Sequence, residues 1–203
     1  MEKELVLVSL FAALIAALGL VPAIPLLNGV PITAQSLGIM LCGTILGARV
    51  GSLAALMFIG LTALGLPLLA GGRGGLGVFF SPTAGFVIGF PISAFITGWI
   101  MHKLRGLNTG ISSTISAFSG GIFGLYIPGI IGLLIMTNDP LIAVGVGMLV
   151  YLPGDLIKVF LCAIITVALY KSRPQMVLTK SLQSAPDAAA QTAKNPPQKD
   201  EAR

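Results

Sequence analysis

Long apolar runs alternate with short breaks that are polar or rich in glycine and proline over the first 173 residues. Most runs reach the about 20 residues that a helix needs to cross a bilayer; the second is marginal. Because lipid leaves no partner for an unpaired backbone group, such runs must be helical. We therefore predict an all-α integral membrane protein whose six transmembrane helices cover residues 5–27, 32–46, 50–66, 83–101, 111–136 and 141–170.

Glycine and proline indicate where these helices bend or end. The first should end near Pro22 and Pro25, and a tight bend at 47–51 should fold the second and third runs into a hairpin. The sixth run is interrupted at 152–154. Pro153 removes a backbone donor there, so we expect freed carbonyls, which lipid tolerates only at a protein or water-filled cavity wall.

Composition supports the membrane assignment. Of the 203 residues, 55% are hydrophobic and 9% are charged, against roughly 25% charged in an ordinary soluble domain. A soluble enzyme and a disordered chain are therefore poor interpretations. The net charge is +5, but the basic residues are scattered and form no stripe, so we expect no nucleic-acid partner.

The distribution of lysine and arginine predicts the orientation in the cell membrane. With both termini in the cytoplasm (N-in/C-in), only Arg73 and Asp139 occupy outer loops. The inner segments then hold Arg49, Lys103, Arg105, Lys171 and Arg173. The acidic start, residues 1–4, lacks the basic region of a signal peptide, so the first run is expected to be retained.

The chain divides into two parts near residue 173. From Pro174, Gln, Ala, Lys, Asp and Pro dominate, and no apolar periodicity remains. We predict a membrane domain over 1–173, which carries every candidate binding residue below, and a disordered cytoplasmic tail over 174–203.

Asp155 and Lys158 are the strongest candidates for a functional site. They lie three residues apart in an apolar run, so a helix would place both on one face. One charge at the bilayer centre costs about 2.5–3.5 kcal/mol, and such residues usually face a polar cavity or each other. The pair is either part of a ligand site or an ion pair that holds two helices together.

Weaker polar candidates lie near the predicted outer surface. Arg73, in the glycine-rich segment 70–78, is either a cation for an anionic ligand group on a flexible, lid-like loop or a solvated loop residue. Thr33 either caps the second helix or joins Gln35 at a hydrogen-bonding cavity edge. Less distinctive candidates of the same kind are Asn28, Tyr126 and Tyr151.

Small residues four apart on the first helix let another helix approach closely. They are Ala12, Ala13, Ala16 and Ala17. They serve either packing within this chain or docking of a second membrane subunit.

No residue pattern indicates a cofactor, a metal site or enzyme activity. His102 is the only histidine, and no Cys/His cluster, P-loop or nucleophile–base pair is present. The GxGxxG match at 72–77 has no surrounding βαβ unit and is rejected as a dinucleotide site. The functions left open are substrate capture for a primary transporter, a stand-alone proton-coupled carrier with Asp155 as its proton site, and a purely structural membrane subunit.

Several motifs together resemble the BioY family, the biotin-specific substrate-binding (S) components of energy-coupling-factor (ECF) transporters. The resemblance covers roughly residues 5 to 172, in the family's order. The matching segments are VPITAQSLG (30–38), LGARVG (46–51), GLP (65–67), the 71–78 loop, SPTAGF (81–86) and LPGDLIK (152–158). Ala84 departs from the glycine that the family often has, and Arg73 lies at a position that the family fills variably.

The resemblance implies biotin capture from the outer side, delivered inward with a transmembrane coupling subunit and ABC-type ATPases. It implies that Asp155 and Lys158 are the polar ligand-binding pair and that Ala12 to Ala17 face the coupling subunit. Asp155 would accept from a ureido N–H, and Lys158 would pair with Asp155 or bind a ligand oxygen. Gln35 and Thr33 would complete the hydrogen bonds, and Arg73 would meet the carboxylate. An S component for another vitamin is the remaining alternative within this class.

Overall fold

The computed structural model describes residues 2–26, 29–173 and 177, and this part of the chain is almost entirely helical. The α-helices are α1 (Glu2–Leu18), α2 (Gln35–Leu41), α3 (Gly47–Ala63), α4 (Ala84–Lys103), α5 (Thr109–Phe118), α6 (Gly124–Thr137), α7 (Leu141–Met148) and α8 (Leu152–Ser172). One π-helical turn, Cys42–Leu46, joins α2 to α3, and another, Ser119–Phe123, joins α5 to α6. A short 3-10 helix covers Leu76–Phe80.

Four continuous helical stretches in the described part are long and apolar enough to cross a membrane. They are Gln35–Ala63, Ala84–Lys103, Thr109–Thr137 and Leu152–Ser172. Gly47, at a φ of 83°, bends the first stretch between α2 and α3. A Cβ on Gly51 would lie 2.5 Å from the Cys42 carbonyl oxygen, so the chain is tightly bent at the predicted position, 47–51. With α1, the bundle has the six long helices expected.

Two helix ends differ from the prediction. The first helix ends at Leu18, before either proline, where Gly19 lies so close to the Leu68 carbonyl that a Cβ would be 2.6 Å from its oxygen. The segment predicted as a sixth helix forms two helices instead, the short α7 and the long α8. Pro153 lies in the first turn of α8, where a missing N–H costs no helical hydrogen bond.

The expectation that Pro153 frees carbonyls is therefore wrong. The Leu149 carbonyl, four residues before the proline, accepts a hydrogen bond from the Leu152 N–H at 3.3 Å, and the Tyr151 carbonyl accepts from the Asp155 N–H at 3.0 Å. The break still directs Asp155 into the protein, where it is buried.

Helix α4 is the centre of the bundle and contacts both α3 and α6. Glycines make these contacts close, because a Cβ on Gly98 would lie 2.2 Å from the Ala48 nitrogen and one on Gly85 would lie 2.2 Å from the Pro128 oxygen. The first contact brings the start of α3 to the last turns of α4. The helix ends at this end of the bundle carry Arg49, His102, Lys103, Lys171 and Arg173, and we call it the basic end.

Candidate functional site

A cavity opens at the end of the bundle opposite the basic end, where α2, α4, α6 and α8 meet the segments 30–33 and 69–73. Its empty space is about 570 Å³ when the open mouth is included. The apolar wall consists of Val30, Pro31, Ile32, Leu69, Phe86, Val87, Phe90 and Leu125. The polar wall consists of Thr33, Gln35, Ser36, Arg73, Thr83, Tyr126, Tyr151, Asp155 and Lys158.

Asp155 and Lys158 form an ion pair on this wall. Lys158 Nζ lies 2.8 Å from Asp155 Oδ1 and donates a second hydrogen bond, of 2.9 Å, to Ser36 Oγ. The Lys158 side chain is 13% exposed and the Asp155 side chain is 7% exposed. Their charges are therefore largely removed from solvent, and the paired, hydrogen-bonded geometry is what makes such burial tolerable.

Two tyrosines complete the polar wall. The Tyr126 hydroxyl on α6 donates a 2.6 Å hydrogen bond to Asp155 Oδ2, so both carboxylate oxygens of Asp155 are engaged. The Tyr151 hydroxyl donates to the Val30 carbonyl at 2.7 Å and ties the turn before α8 to the segment that leads into α2. Both tyrosines line the cavity, as the sequence suggested.

Gln35 also lines the cavity, but its amide is fully engaged within the protein. Nε2 donates to the carbonyls of Ile15 and Leu68 at 3.2 and 3.0 Å, and Oε1 accepts from the Ala70 N–H at 3.1 Å. The side chain is 1% exposed. Gln35 thus joins α1, α2 and the 68–70 segment and fixes the position of the cavity wall.

Thr33 lines the cavity and does not cap α2. The residue before α2 is Ala34, and no side chain caps that end of the helix. The capping interpretation is therefore wrong, and the cavity-edge interpretation agrees with the geometry.

Arg73 lies in a closed turn of the glycine-rich segment. Its backbone pairs with that of Leu69 in both directions, at 3.0 and 3.2 Å. Its guanidinium donates from Nε to the Ala70 carbonyl and from Nη1 to Thr83 Oγ1, both at 3.3 Å. The cation therefore stands at the cavity wall, among neutral partners, with no carboxylate in its described contacts.

The remaining predicted residues lie elsewhere. Asn28 falls outside the described residues, as does the tail from Pro174 apart from Val177. On α1, Ala12 is buried inside the chain and Ala16 is half-buried, whereas Ala13 and Ala17 face outward. Ala12 and Ala16 therefore pack within the chain, whereas Ala13 and Ala17 form an outward-facing surface.

Sequence reasoning missed Ser36 and Thr83. Ser36 is the hydroxyl partner of Lys158, and Thr83 is the partner of Arg73. Their positions in the sequence could have pointed to them. Ser36 directly follows Gln35, and Thr83 belongs to the Ser81-Pro82-Thr83 helix start. In the described part of the chain, no three His, Cys, Asp or Glu side chains are grouped as a metal site requires.

Comparison with known proteins agrees with this architecture. A family model described as the BioY family matches residues 2–175. The chain belongs to the BioY family. A relative from Rhodobacter capsulatus, named "Biotin transporter BioY", is 46% identical over 189 residues, which cover 89% of this chain and 100% of the relative. Another of the same name, from Rhizobium etli, is 45% identical and covers 85% of this chain and 95% of its own length.

A solved structure matches the fold of this BioY-family chain. It is described as the S-component for biotin from an ECF-type ABC transporter. The TM-score is 0.79 at 33% sequence identity, over 83% of this chain and 91% of the other. The chain therefore has the fold of an ECF S-component and is a multi-pass membrane protein.

Proposed function

We propose that this chain is the substrate-specific subunit of an ECF-type biotin uptake transporter. The observation that carries the proposal is a full-length match to proteins named as biotin transporters, together with an apolar cavity whose polar groups converge on Asp155 and Lys158. Biotin has an apolar bicycle and chain, a ureido group and one carboxylate, and such a cavity suits it. Members of this family are transporters, so the chain is not an enzyme.

Asp155 would receive the ureido group of biotin. Its carboxylate is held from two sides, by Lys158 and Tyr126, so its oxygens have fixed positions from which to accept a ureido N–H. The Lys158 ammonium has three N–H donors, and its described contacts use two, on Asp155 and Ser36. The third is available to a ureido oxygen.

Arg73 would meet the carboxylate of biotin. Its side chain reaches the cavity wall with only neutral hydrogen-bond acceptors in its described contacts. A guanidinium binds a carboxylate through two parallel hydrogen bonds, which are stronger than those to a carbonyl or a hydroxyl. Thr33 and Gln35 would shape the edge of the site, with Gln35 acting by holding the 68–70 segment.

The basic end would face the cytoplasm, because lysine and arginine are retained on that side. The cavity then opens outward, and both termini of the membrane domain 1–173 lie in the cytoplasm with the tail 174–203. The host membrane is the cell membrane. Ala13 and Ala17, exposed on α1, would dock the coupling subunit, which works with ABC-type ATPases.

An uptake experiment tests this function. Cells that lack biotin uptake are given this chain with or without an ECF coupling subunit and its ATPases, and the import of labelled biotin is measured. The proposal predicts import that needs the ATPases and survives dissipation of the proton gradient. Import without ATPases that collapses with the gradient would favour a proton-coupled carrier. Import of thiamine or riboflavin in place of biotin would show that the substrate is a different vitamin.

A further inference from the structure

A second groove adjoins the cavity at the same end of the bundle. Its described walls come from residues 23–26, 29–31 and 70–73, and its empty space is about 730 Å³, open solvent included. The lining residues are Ala23, Pro25, Leu26, Gly29, Pro31, Ala70, Gly71 and Arg73. We call it the outer groove. Pro31 and Arg73 line both the cavity and the outer groove.

The Arg73 side chain lines both spaces and is hydrogen-bonded to a wall residue of each. Its Nε bonds to the carbonyl of Ala70, a wall residue of the outer groove, and its Nη1 bonds to Thr83, a wall residue of the cavity. Both bonds are 3.3 Å long, beyond the usual range for N–H···O contacts. Thr83 has a shorter bond, of 2.8 Å, with Ser81. Both side-chain contacts of Arg73 are therefore long and made to neutral acceptors.

We propose that the site accepts biotin derivatives extended at the carboxyl carbon, namely biotin amides of an aliphatic amine. This inference rests on the proposed function. With the bicycle at Asp155 and Lys158, the acyl chain runs toward Arg73, and a longer chain continues past the guanidinium into the outer groove. Ala23, Pro25 and Leu26 offer apolar contact to the added methylenes, and the open side leaves a polar end in water.

The chemistry at Arg73 changes in a defined way between the two ligands. A carboxylate offers Arg73 a charge-assisted bidentate contact, whereas an amide retains one neutral carbonyl acceptor. The ureido contacts are the same for both. Extended ligands should therefore bind more weakly than biotin but at the same place, whereas a cavity closed at Arg73 would exclude them by steric overlap.

Titration of the full chain in detergent tests the inference, with biotin, biotinamide and biotinyl-lysine as ligands. We expect biotinyl-lysine to displace biotin and to bind within about 100-fold of its affinity. Ala23→Trp fills the outer groove and should leave the Kd for biotin unchanged while weakening biotinyl-lysine at least about 10-fold; Leu26→Trp is a second variant of this kind. Ile142→Trp, at an exposed position on α7, is the control for the added indole and should change neither Kd.

Arg73→Ala separates the contributions of charge and space. It should weaken biotin about 10-fold or more and biotinamide much less, because only biotin loses an ionic contact. Binding of biotin with no displacement by biotinyl-lysine would overturn the inference and leave the biotin function standing. Equal losses for both ligands in Ala23→Trp would overturn it as well. If biotin itself fails to bind the folded protein, the proposed function fails, and this inference fails with it.

Discussion

Lys158 Nζ lies 2.8 Å from Oδ1 of Asp155, one helical turn away on α8. The pair is not isolated, because Ser36 on α2 accepts from the lysine and Tyr126 on α6 donates to the aspartate. Three helices therefore meet through one ionic group beside the cavity. The pair thus joins three helices and also lines the cavity, and substitutions can separate its structural role from its proposed role in binding.

Asp155→Asn should weaken biotin binding about 10- to 100-fold. The amide keeps the size of the side chain but loses the charge, and hydrogen bonds to charged groups contribute about 1.5–3 kcal/mol. Calorimetric titration gives the affinity, and a thermal melt in detergent verifies folding. The matched control is Asp139→Asn, the same change at an exposed position, which should leave the affinity unaltered. An unaltered Kd in folded Asp155→Asn would remove Asp155 from the site.

Lys158→Met should destabilise the protein, because Asp155 then remains buried without a cation. Breaking one side of a buried pair costs about 3–5 kcal/mol. The double variant Asp155→Asn/Lys158→Met removes both charges and should recover most of the melting temperature while biotin binding stays weak. Recovery of binding together with stability in the double variant would mean that the pair only holds the helices together.

Gln35→Ala should lower stability by several kcal/mol. It removes the hydrogen-bond partner that the Leu68 carbonyl and the Ala70 N–H find in Gln35, and each buried group left unpaired costs about 1–3 kcal/mol. The Ile15 carbonyl loses one bond but keeps another, from the Gly19 N–H. The control Thr62→Ala removes one bond, to a carbonyl of its own helix, and should lower the melting temperature much less. Equal melting temperatures for the two variants would contradict the role assigned to Gln35.

Gly98→Ala should destabilise the contact between α3 and α4. The added Cβ would lie 2.2 Å from the Ala48 nitrogen and 2.4 Å from the Gly47 carbonyl carbon. Both are backbone atoms, which cannot rotate away, so the cost should exceed the about 1–3 kcal/mol usual for overpacking. Gly60→Ala on α3 is the control, because no atom lies within 4 Å of its added Cβ. Similar melting temperatures for both variants would refute the close contact.

The sequence was sufficient to predict the elements that depend on local pattern. The long apolar runs gave the long helices, and the three-residue spacing of Asp155 and Lys158 put them on one face of α8. The sequence was not sufficient where a contact between residues far apart in the chain determines where a helix ends. Helix α1 ends at Leu18, where the next residue, Gly19, lies against the Leu68 carbonyl, 49 residues later, and no local signal reports that contact.

The partners within the site show the same limit. Ser36 and Lys158 are 122 residues apart and Tyr126 and Asp155 are 29 apart, on different helices, so spacing could not pair them. Gln35 was predicted as a ligand contact because it is polar in an apolar region. Its three hydrogen bonds to backbone groups on α1 and the 68–70 segment emerge only once those segments are packed together.

The most direct test of the central claim is calorimetric titration of the purified, detergent-solubilised protein with biotin, beside riboflavin and thiamine. Biotin capture at the Asp155–Lys158 cavity predicts saturable, one-to-one binding of biotin, no binding of the other two vitamins, and a weakened response in Asp155→Asn. Absence of biotin binding by a folded sample, or equal binding of all three vitamins, would contradict the account.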